Sequence, residues 1–488
     1  MGALKAGFAR ANITPLGVSV PLGGFDGSEF RLSGVVIDPL FARVIALRNG
    51  EETCLFISMD NGEVYEENIA CFREAVHAAT GIAKDHIYIS ENHTHSGPDL
   101  ICKTPAALQH IHDEICPKMA DAAARALADL KPAKLSYGTV EVGRPGCRFT
   151  FDRHYYAVPI EKKDNWTDAD LVPCVGAVRT AVRKGEDYVP VRHCEEADHR
   201  MHLMRFARED ADDIVVVNYA SHGTFVGSAN RPEVSSDWTG PFLDRLEELL
   251  PDVKCAFWQG CCGNLVPSTE IEDEGIWCVT YSMPRPGETD NLPPTVELRP
   301  KNRSHYAYAA MLAGYAFEGL TQYMKPSETD TLICRQRIFK GKCDHSKDAL
   351  APKARQALSR FLEEGHTPEA IAHCKSFGLG SLYACEAIVR RSELPEYGDI
   401  ELNAIEIGDC AVVTAPFENY CSSGVHVKAD SPYNMTIFSS YCCGMQGYLP
   451  NRNVHPQHYE ATATLYELGT AEKLEDELIG MLQEIRTQ

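Results

Sequence analysis

The sequence predicts an α/β fold: one large domain with a mixed β-sheet core, helices on its flanks and a metal site at the C-terminal ends of strands. Three observations carry that expectation. Strand-like and helix-like runs alternate through the first half of the chain. Both hairpin and crossover spacings occur between the strands, which makes the sheet mixed. No linker, internal repeat or low-complexity tract divides the 488 residues, so one domain with insertions is preferred over the two or three that length alone suggests.

The elements follow in order. Phe41–Leu47 reads as a strand, Asn49-Gly50 as a turn, and Thr53–Met59 as the hairpin partner. Glu66–Thr80 has apolar residues at helical spacing and stops at Gly81, a natural C-cap. His86–Ser90 is a short β-rich run that leads into Glu91-Asn92-His93-Thr94-His95-Ser96-Gly97-Pro98. Met119–Leu130 is an Ala-rich helix stopped by Pro132, and Pro117 should break or start a helix. Asp213–Ala220 is the clearest buried strand, with Ser221-His222-Gly223 directly after it. Gly240–Leu250 reads as a helix, and Val253–Trp258 as a strand running into Gln259-Gly260-Cys261-Cys262-Gly263-Asn264. The Pro-rich, acidic, aperiodic stretch from Pro267 to Arg303 reads as an inserted loop, a lid or rim. Beyond it, Asp344–Ser376 is helical in character, Ile400–Val413 forms two strands around Gly408-Asp409, and Thr462–Ile485 has helical periodicity.

Composition narrows the function classes. An apolar fraction of 44% and a charged fraction of 24% are ordinary for a globular protein. A net charge of −22 without any Lys/Arg cluster argues against a nucleic-acid partner. No apolar run is long enough to span a membrane, and no export signal or myristoylation signal opens the chain. The 19 cysteines, an odd number, then fit free thiols in a reducing cytoplasm. The adjacent pairs Cys261-Cys262 and Cys442-Cys443 lack CxxC spacing and read as core packing. The partner implied is a small-molecule substrate, and a homo-oligomer is compatible with the sequence.

His93 and His95 lie two apart, so on an extended segment they share a face. They sit where a strand runs out, and His222 is placed in the same way; binding sites of open α/β sheets gather at such ends. Three converging imidazoles are a ligand set for a catalytic zinc, with carboxylates or a phenolate completing it and water in an open position. His110, His112, His199, His202 and His366 lack that context and read as surface or core residues.

Asn92-His93-Thr94-His95-Ser96-Gly97-Pro98 resembles the Thr-His-Thr-His-Ser-Gly-Pro motif of the neutral/alkaline non-lysosomal ceramidase family. Further stretches are similar to family elements in the family's order: Asn12-Ile13-Thr14-Pro15, Asp38–Arg43, Asn218–Thr224, Ser236–Gly240, Ala415-Pro416-Phe417-Glu418 and Gly447-Tyr448-Leu449-Pro450. The resemblance implies a divergent member, a zinc hydrolase domain over 1–488 with the loop of about 267–303 inserted and no C-terminal β-domain. It implies zinc held by His93, His222, Glu418 and Tyr448, with His95 beside the metal as a proton-transferring group. One element departs: where the family reads Gly-Asp-Val-Ser-Pro with a catalytic serine, this chain has Gly263-Asn264-Leu265-Val266-Pro267. Val266 can neither attack nor donate a proton.

The resulting expectation is hydrolysis of an amide or ester by metal-activated water, on a substrate smaller or more polar than ceramide. Asp237 is expected either to orient a ligand histidine or to cap the following helix. Arg148 is expected either to bind an anionic substrate group or to form a structural salt bridge. Two other readings stay open: a zinc enzyme that cleaves a glycoside or eliminates across a sugar derivative, and a non-catalytic metal-binding protein.

Overall fold

The computed structural model describes residues 3–24, 31–100, 104–144, 148–227, 232–267, 277–282, 295–298, 305–365, 367–379 and 382–487. Nine strands among them form the main sheet. In chain order these are β1 (Lys5–Asn12), β2 (Phe41–Asn49), β3 (Glu52–Met59), β4 (Ile87–Glu91), β5 (Lys131–Glu141), β6 (Arg200–Arg208), β7 (Asp213–Tyr219), β8 (Val253–Gln259) and the short β9 (Lys325–Pro326). Their spatial order is β8-β7-β6-β5-β1-β2-β3-β4, with β9 alongside β5. The outermost pairs, β8–β7 and β3–β4, are parallel and the pairs between them antiparallel, so the sheet is mixed. The β2–β3 hairpin turns at Gly50, whose φ of 60° lies in the left-handed region that glycine enters without steric cost.

A second mixed sheet of β10 (Leu332–Lys342), β11 (Tyr397–Ile407), β12 (Cys410–Thr414) and β13 (Met435–Ser439) stacks on the first. The side-chain alternation shows the stacking. Ile45 and Leu47 of β2, with Ile214 and Val216 of β7, pack against Ile405, Ile407, Val412 and Ile437. The intervening Val44 and Ala46 meet the helices α1 (Glu66–Thr80) and α2 (Cys116–Ala128). Val215 and Val217 meet α3 (Thr239–Leu249) and α4 (His305–Gln322). On the far side, Leu402, Ala404 and Val413 pack on a C-terminal helix, Thr470–Arg486. The layers therefore run helix, sheet, sheet, helix. Each aliphatic side chain buried in them contributes about 1.5–3 kcal/mol relative to exposure.

The expectation of a mixed sheet flanked by helices holds, and the structure refines it at four places. The core contains two sheets, because strands buried on both faces read as continuous apolar runs that carry no layer label. The C-terminal helix starts at Thr470 behind Gly469, whose φ is 95°, and a separate turn, Tyr459–Ala463, precedes it. Pro117 does not open an isolated helix: helical backbone runs from Pro105 to Ala128, with a π turn at His110–Ile115 just before the proline. A proline ring clashes with the carbonyl four residues back, and the wider π turn relieves that clash. In the stretch from Pro267 to Arg303, read above as an inserted loop, Pro267 ends a three-residue strand, and Trp277–Ser282 and Thr295–Leu298 pair as antiparallel strands; the residues between lie outside the described residues.

Every cysteine whose side chain is described is free, and among the described residues no helix is long and apolar enough to cross a membrane. Cys261, Cys262, Cys442 and Cys443 are buried in the core.

Candidate metal centre

Two chain crossings set the site. The strand β4 ends at Glu91 and β7 at Tyr219, and their continuations run side by side, with Thr94 bridging Gly223 and the His95 amide donating to the Gly223 carbonyl at 2.9 Å. Gln259, at the end of β8, clamps both. Its Nε2 donates to the Asn92 carbonyl at 2.9 Å and to the Ser221 carbonyl at 3.0 Å, the residues immediately before His93 and His222. Below them Asn92 Nδ2 donates to Asp60, which forms a buried ion pair of 2.8 Å with Arg43.

An extended segment would put His93 and His95 on one face. The structure brings their Nε2 atoms within 3.3 Å by another route. His93 has a φ of 58°, so the chain turns there, and the two rings meet edge to face instead of projecting in parallel. Ligand nitrogens of His93, His95 and His222 all lie within 4.8 Å of one another.

Glu418 closes the cluster. It sits in a two-residue parallel ladder, Glu418-Asn419 with Tyr448-Leu449, just after β12. Its Oε2 lies 3.3 Å from Nε2 of His93 and 3.3 Å from Nε2 of His222. All three side chains are at most 2% exposed. The opposite ring nitrogens are anchored: Nδ1 of His93 on the Gly62 carbonyl at 2.9 Å, and Nδ1 of His222 on the carbonyls of Cys262 and Leu265 at 2.7 and 2.8 Å. A carbonyl only accepts, so in each ring Nδ1 carries the proton and Nε2 presents a lone pair to the cluster.

These donors fit a metal of the zinc type. Two ligands at 2.0–2.1 Å in tetrahedral coordination are roughly 3.3 Å apart. That is the spacing of His93 to Glu418, His222 to Glu418 and His93 to His95. Backbone carbonyls holding the remote nitrogens are the usual second-shell support for imidazole ligands.

Burial raises the Glu418 carboxyl, but His93 and His222 overcome it and hold the group below its usual range. Burial lowers His93 while Glu418 outweighs that and raises it. Burial, reinforced by His93 and His222, holds His95 well below the ordinary imidazole value, and burial likewise lowers His222.

Tyr448 is buried as the register partner of Glu418, and burial raises its phenol well above normal against the opposing pull of Arg153. Asp237 takes neither expected role. Its carboxylate accepts from the Val226 amide at 2.7 Å and the Trp238 amide at 2.8 Å, and the side chain makes no cap on α3. It fastens the loop after His222 to the start of α3; the indole Nε1 of Trp238 donates to the His222 carbonyl at 3.0 Å. Arg148 pairs with Glu141, the last residue of β5, at 2.6 Å and donates to the carbonyl of the next residue, Val142, at 3.2 Å. Val266 lies beside the cluster, in a three-residue strand whose Leu265 carbonyl holds His222.

Several residues of the site escaped the sequence reading. Tyr441 stacks on His93 with ring centroids 4.3 Å apart and donates to Glu418 at 3.3 Å. Arg153 lies with its guanidinium 5.4 Å from the Tyr448 ring centroid, donates to the Gly263 carbonyl at 2.9 Å and ion-pairs with the fully buried Glu460. Gln259 was detectable as a polar residue ending an apolar strand; Arg153 and Glu460 carry no such local signal.

Gly263 approaches this ladder so closely that an added Cβ would fall on the Glu418 carbonyl. Gly263→Ala is therefore expected to displace Glu418 and lower metal affinity by about 10–100-fold. Competition with a chelator of known affinity measures it, with circular dichroism confirming the fold; unchanged affinity would show that the ladder does not position the carboxylate.

No protein-family model and no curated protein matches the chain. Solved structures do. The neutral ceramidase from Pseudomonas aeruginosa superposes with a TM-score of 0.68 at 17% identity, covering 100% of this chain and 75% of that one. A ceramidase complexed with C2 gives 0.65 at 17% identity, covering 100% and 76%. By its architecture, then, the chain has a neutral ceramidase-like fold.

Proposed function

We propose that the protein is a zinc-dependent hydrolase whose single domain splits an amide or ester bond, in a substrate smaller or more polar than ceramide. The observation that carries the reading is the position of Glu418 Oε2, 3.3 Å from the lone-pair nitrogens of both His93 and His222. Similarity in fold to ceramidases supports the reaction class. His93, His222, Glu418 and Tyr448 are the proposed metal ligands, and the free cysteines suit a cytoplasmic setting.

A zinc ion in such a site supplies Lewis acidity and a water whose pKa is lowered to about 7. The chain's own residues do the rest. His95, held well below the usual imidazole range, is neutral at neutral pH and can take a proton from the attacking water and return it to the leaving atom. Val266 offers no nucleophile. The thiol of Cys262, 3.2 Å from the Tyr441 hydroxyl, is kept protonated by burial. Water is the attacking group in this proposal.

Two measurements test the reading. With amide and ester panels in ¹⁸O-labelled water, the acid product should carry solvent oxygen; an unsaturated, unlabelled product would establish elimination instead. His95→Ala should retain its metal and lose about 10²–10⁴ in turnover, the range for a lost general acid–base group. Loss of the metal with the activity would make His95 a ligand.

A further inference from the structure

On the helix-covered face of the main sheet, the α1–α2 helix pair holds a second set of metal-type donors. Cys71 lies in α1, Cys116 is the first residue of α2, and His112 is one turn earlier, in the π turn. Cys71 Sγ is 3.4 Å from Cys116 Sγ and 3.7 Å from His112 Nδ1, and all three ligand atoms lie within 4.8 Å of one another. In tetrahedral zinc coordination the corresponding edges are about 3.8 Å for two sulfurs and about 3.6 Å for sulfur and nitrogen. Both edges at Cys71 thus stand within a few tenths of an ångström of a coordinating arrangement, and the third, from Cys116 to His112, is under 4.8 Å.

The local backbone explains the placement. Pro117 forces the π turn, recorded in the bond from the Cys116 amide to the Ile111 carbonyl, and single π turns concentrate at functional sites. Packing alone accounts for the two sulfurs, which adjoin the apolar layer under α1. It does not account for His112, a solvent-exposed side chain whose Nδ1 is turned toward Cys71.

We propose that Cys71, His112 and Cys116 form a second metal site, selective for a borderline-soft divalent ion such as zinc, with its fourth position open to solvent. Two thiolates and a neutral imidazole balance the charge of a divalent ion, and thiolate ligation selects against the hard cations magnesium and calcium. An ion there ties α1 to the helix that follows β4, fixing two elements that cover one face of the main sheet.

Cobalt(II) is the probe, because a thiolate-to-cobalt charge-transfer band in the near ultraviolet reports sulfur ligation, and the cluster around Glu418 contains no cysteine ligand. Metal-free protein kept under reductant is titrated with cobalt(II). The band should appear in the wild type and in His222→Ala, and vanish in Cys71→Ser. His112→Ala, altered at an exposed position, should weaken the cobalt affinity by more than the roughly tenfold that outer-shell changes cost. No band in the wild type, a band that survives Cys71→Ser, or an unaltered affinity in His112→Ala overturns the site.

Discussion

His222→Ala, purified and dialysed, is expected to hold no tightly bound metal at the Glu418 cluster, and its turnover should fall at least about a thousandfold, some 4 kcal/mol of transition-state stabilisation. The size follows from the geometry. His222 Nε2 faces Glu418 Oε2 at 3.3 Å, and two carbonyls hold its Nδ1, so the ring is fixed in a ligating pose. Alanine also leaves those carbonyls, in a region 1% exposed, without their donor. Elemental analysis of wild type, His93→Ala and His222→Ala measures the effect. A wild type that is metal-free as purified and takes up no added zinc removes the hydrolase reading at its root. A zinc content as high in both variants as in the wild type moves the first ion elsewhere, whereas the loss of one ion with a second retained leaves that second ion on Cys71 and Cys116, which the cobalt spectrum checks.

The other large effect is on stability. Arg153→Met should destabilise the fold by about 3–5 kcal/mol, because it strips the charge partner from Glu460, which is 0% exposed. Burial raises the Glu460 carboxyl, yet Arg153 and then His154, at 2.9 Å, bring it down to about 2. A carboxyl depressed from 4.5 stabilises the folded state fully above pH about 4.5, and that contribution drains away as pH falls toward about 2. The variant keeps only the smaller pull of His154. The difference in unfolding free energy between wild type and Arg153→Met should therefore shrink on acidification from pH 5. Denaturant melts of the metal-free proteins measure it, and a difference independent of pH would sink the linkage between these two residues.

What could be read without coordinates divides along physical lines. The β2–β3 hairpin and α1 were legible because their signals are local: Asn49-Gly50 for the turn, Gly81 for the helix end. His93 and His222 were legible as candidates because each follows an apolar strand directly. Their convergence depends on long-range facts, the Thr94–Gly223 bridge and the Gln259 clamp, that no window of sequence contains. The period-two argument for His93 and His95 reached the right neighbourhood by the wrong geometry, since a left-handed residue interrupts the extended chain. Glu418 and Tyr448 lie in a ladder only two residues long, too short for any periodicity, and motif likeness alone pointed to them. Asp237 shows the converse: a carboxylate before a helix invites the capping reading, yet its φ of 53° turns the side chain toward the Val226 and Trp238 amides.

The placement of Glu418 has a consequence for how the molecule comes apart. The histidines are carried by loops leaving the main sheet, whereas the carboxylate follows β12 of the stacked sheet. An ion shared among them would rivet two layers that otherwise cohere through apolar side chains and a few hydrogen bonds, such as that from Asn218 Nδ2 to the Phe438 carbonyl at 3.4 Å. Because the unfolded chain has no such assembled site, occupancy and folding become a single linked equilibrium, worth about 2.7 kcal/mol when free metal exceeds its dissociation constant a hundredfold. Chelation would then act first on the seam between the sheets, leaving each layer's own hydrogen-bonded ladder in place. The catalytic centre would serve as its own sensor of metal supply, since the ion that equips it for chemistry also draws its two halves together.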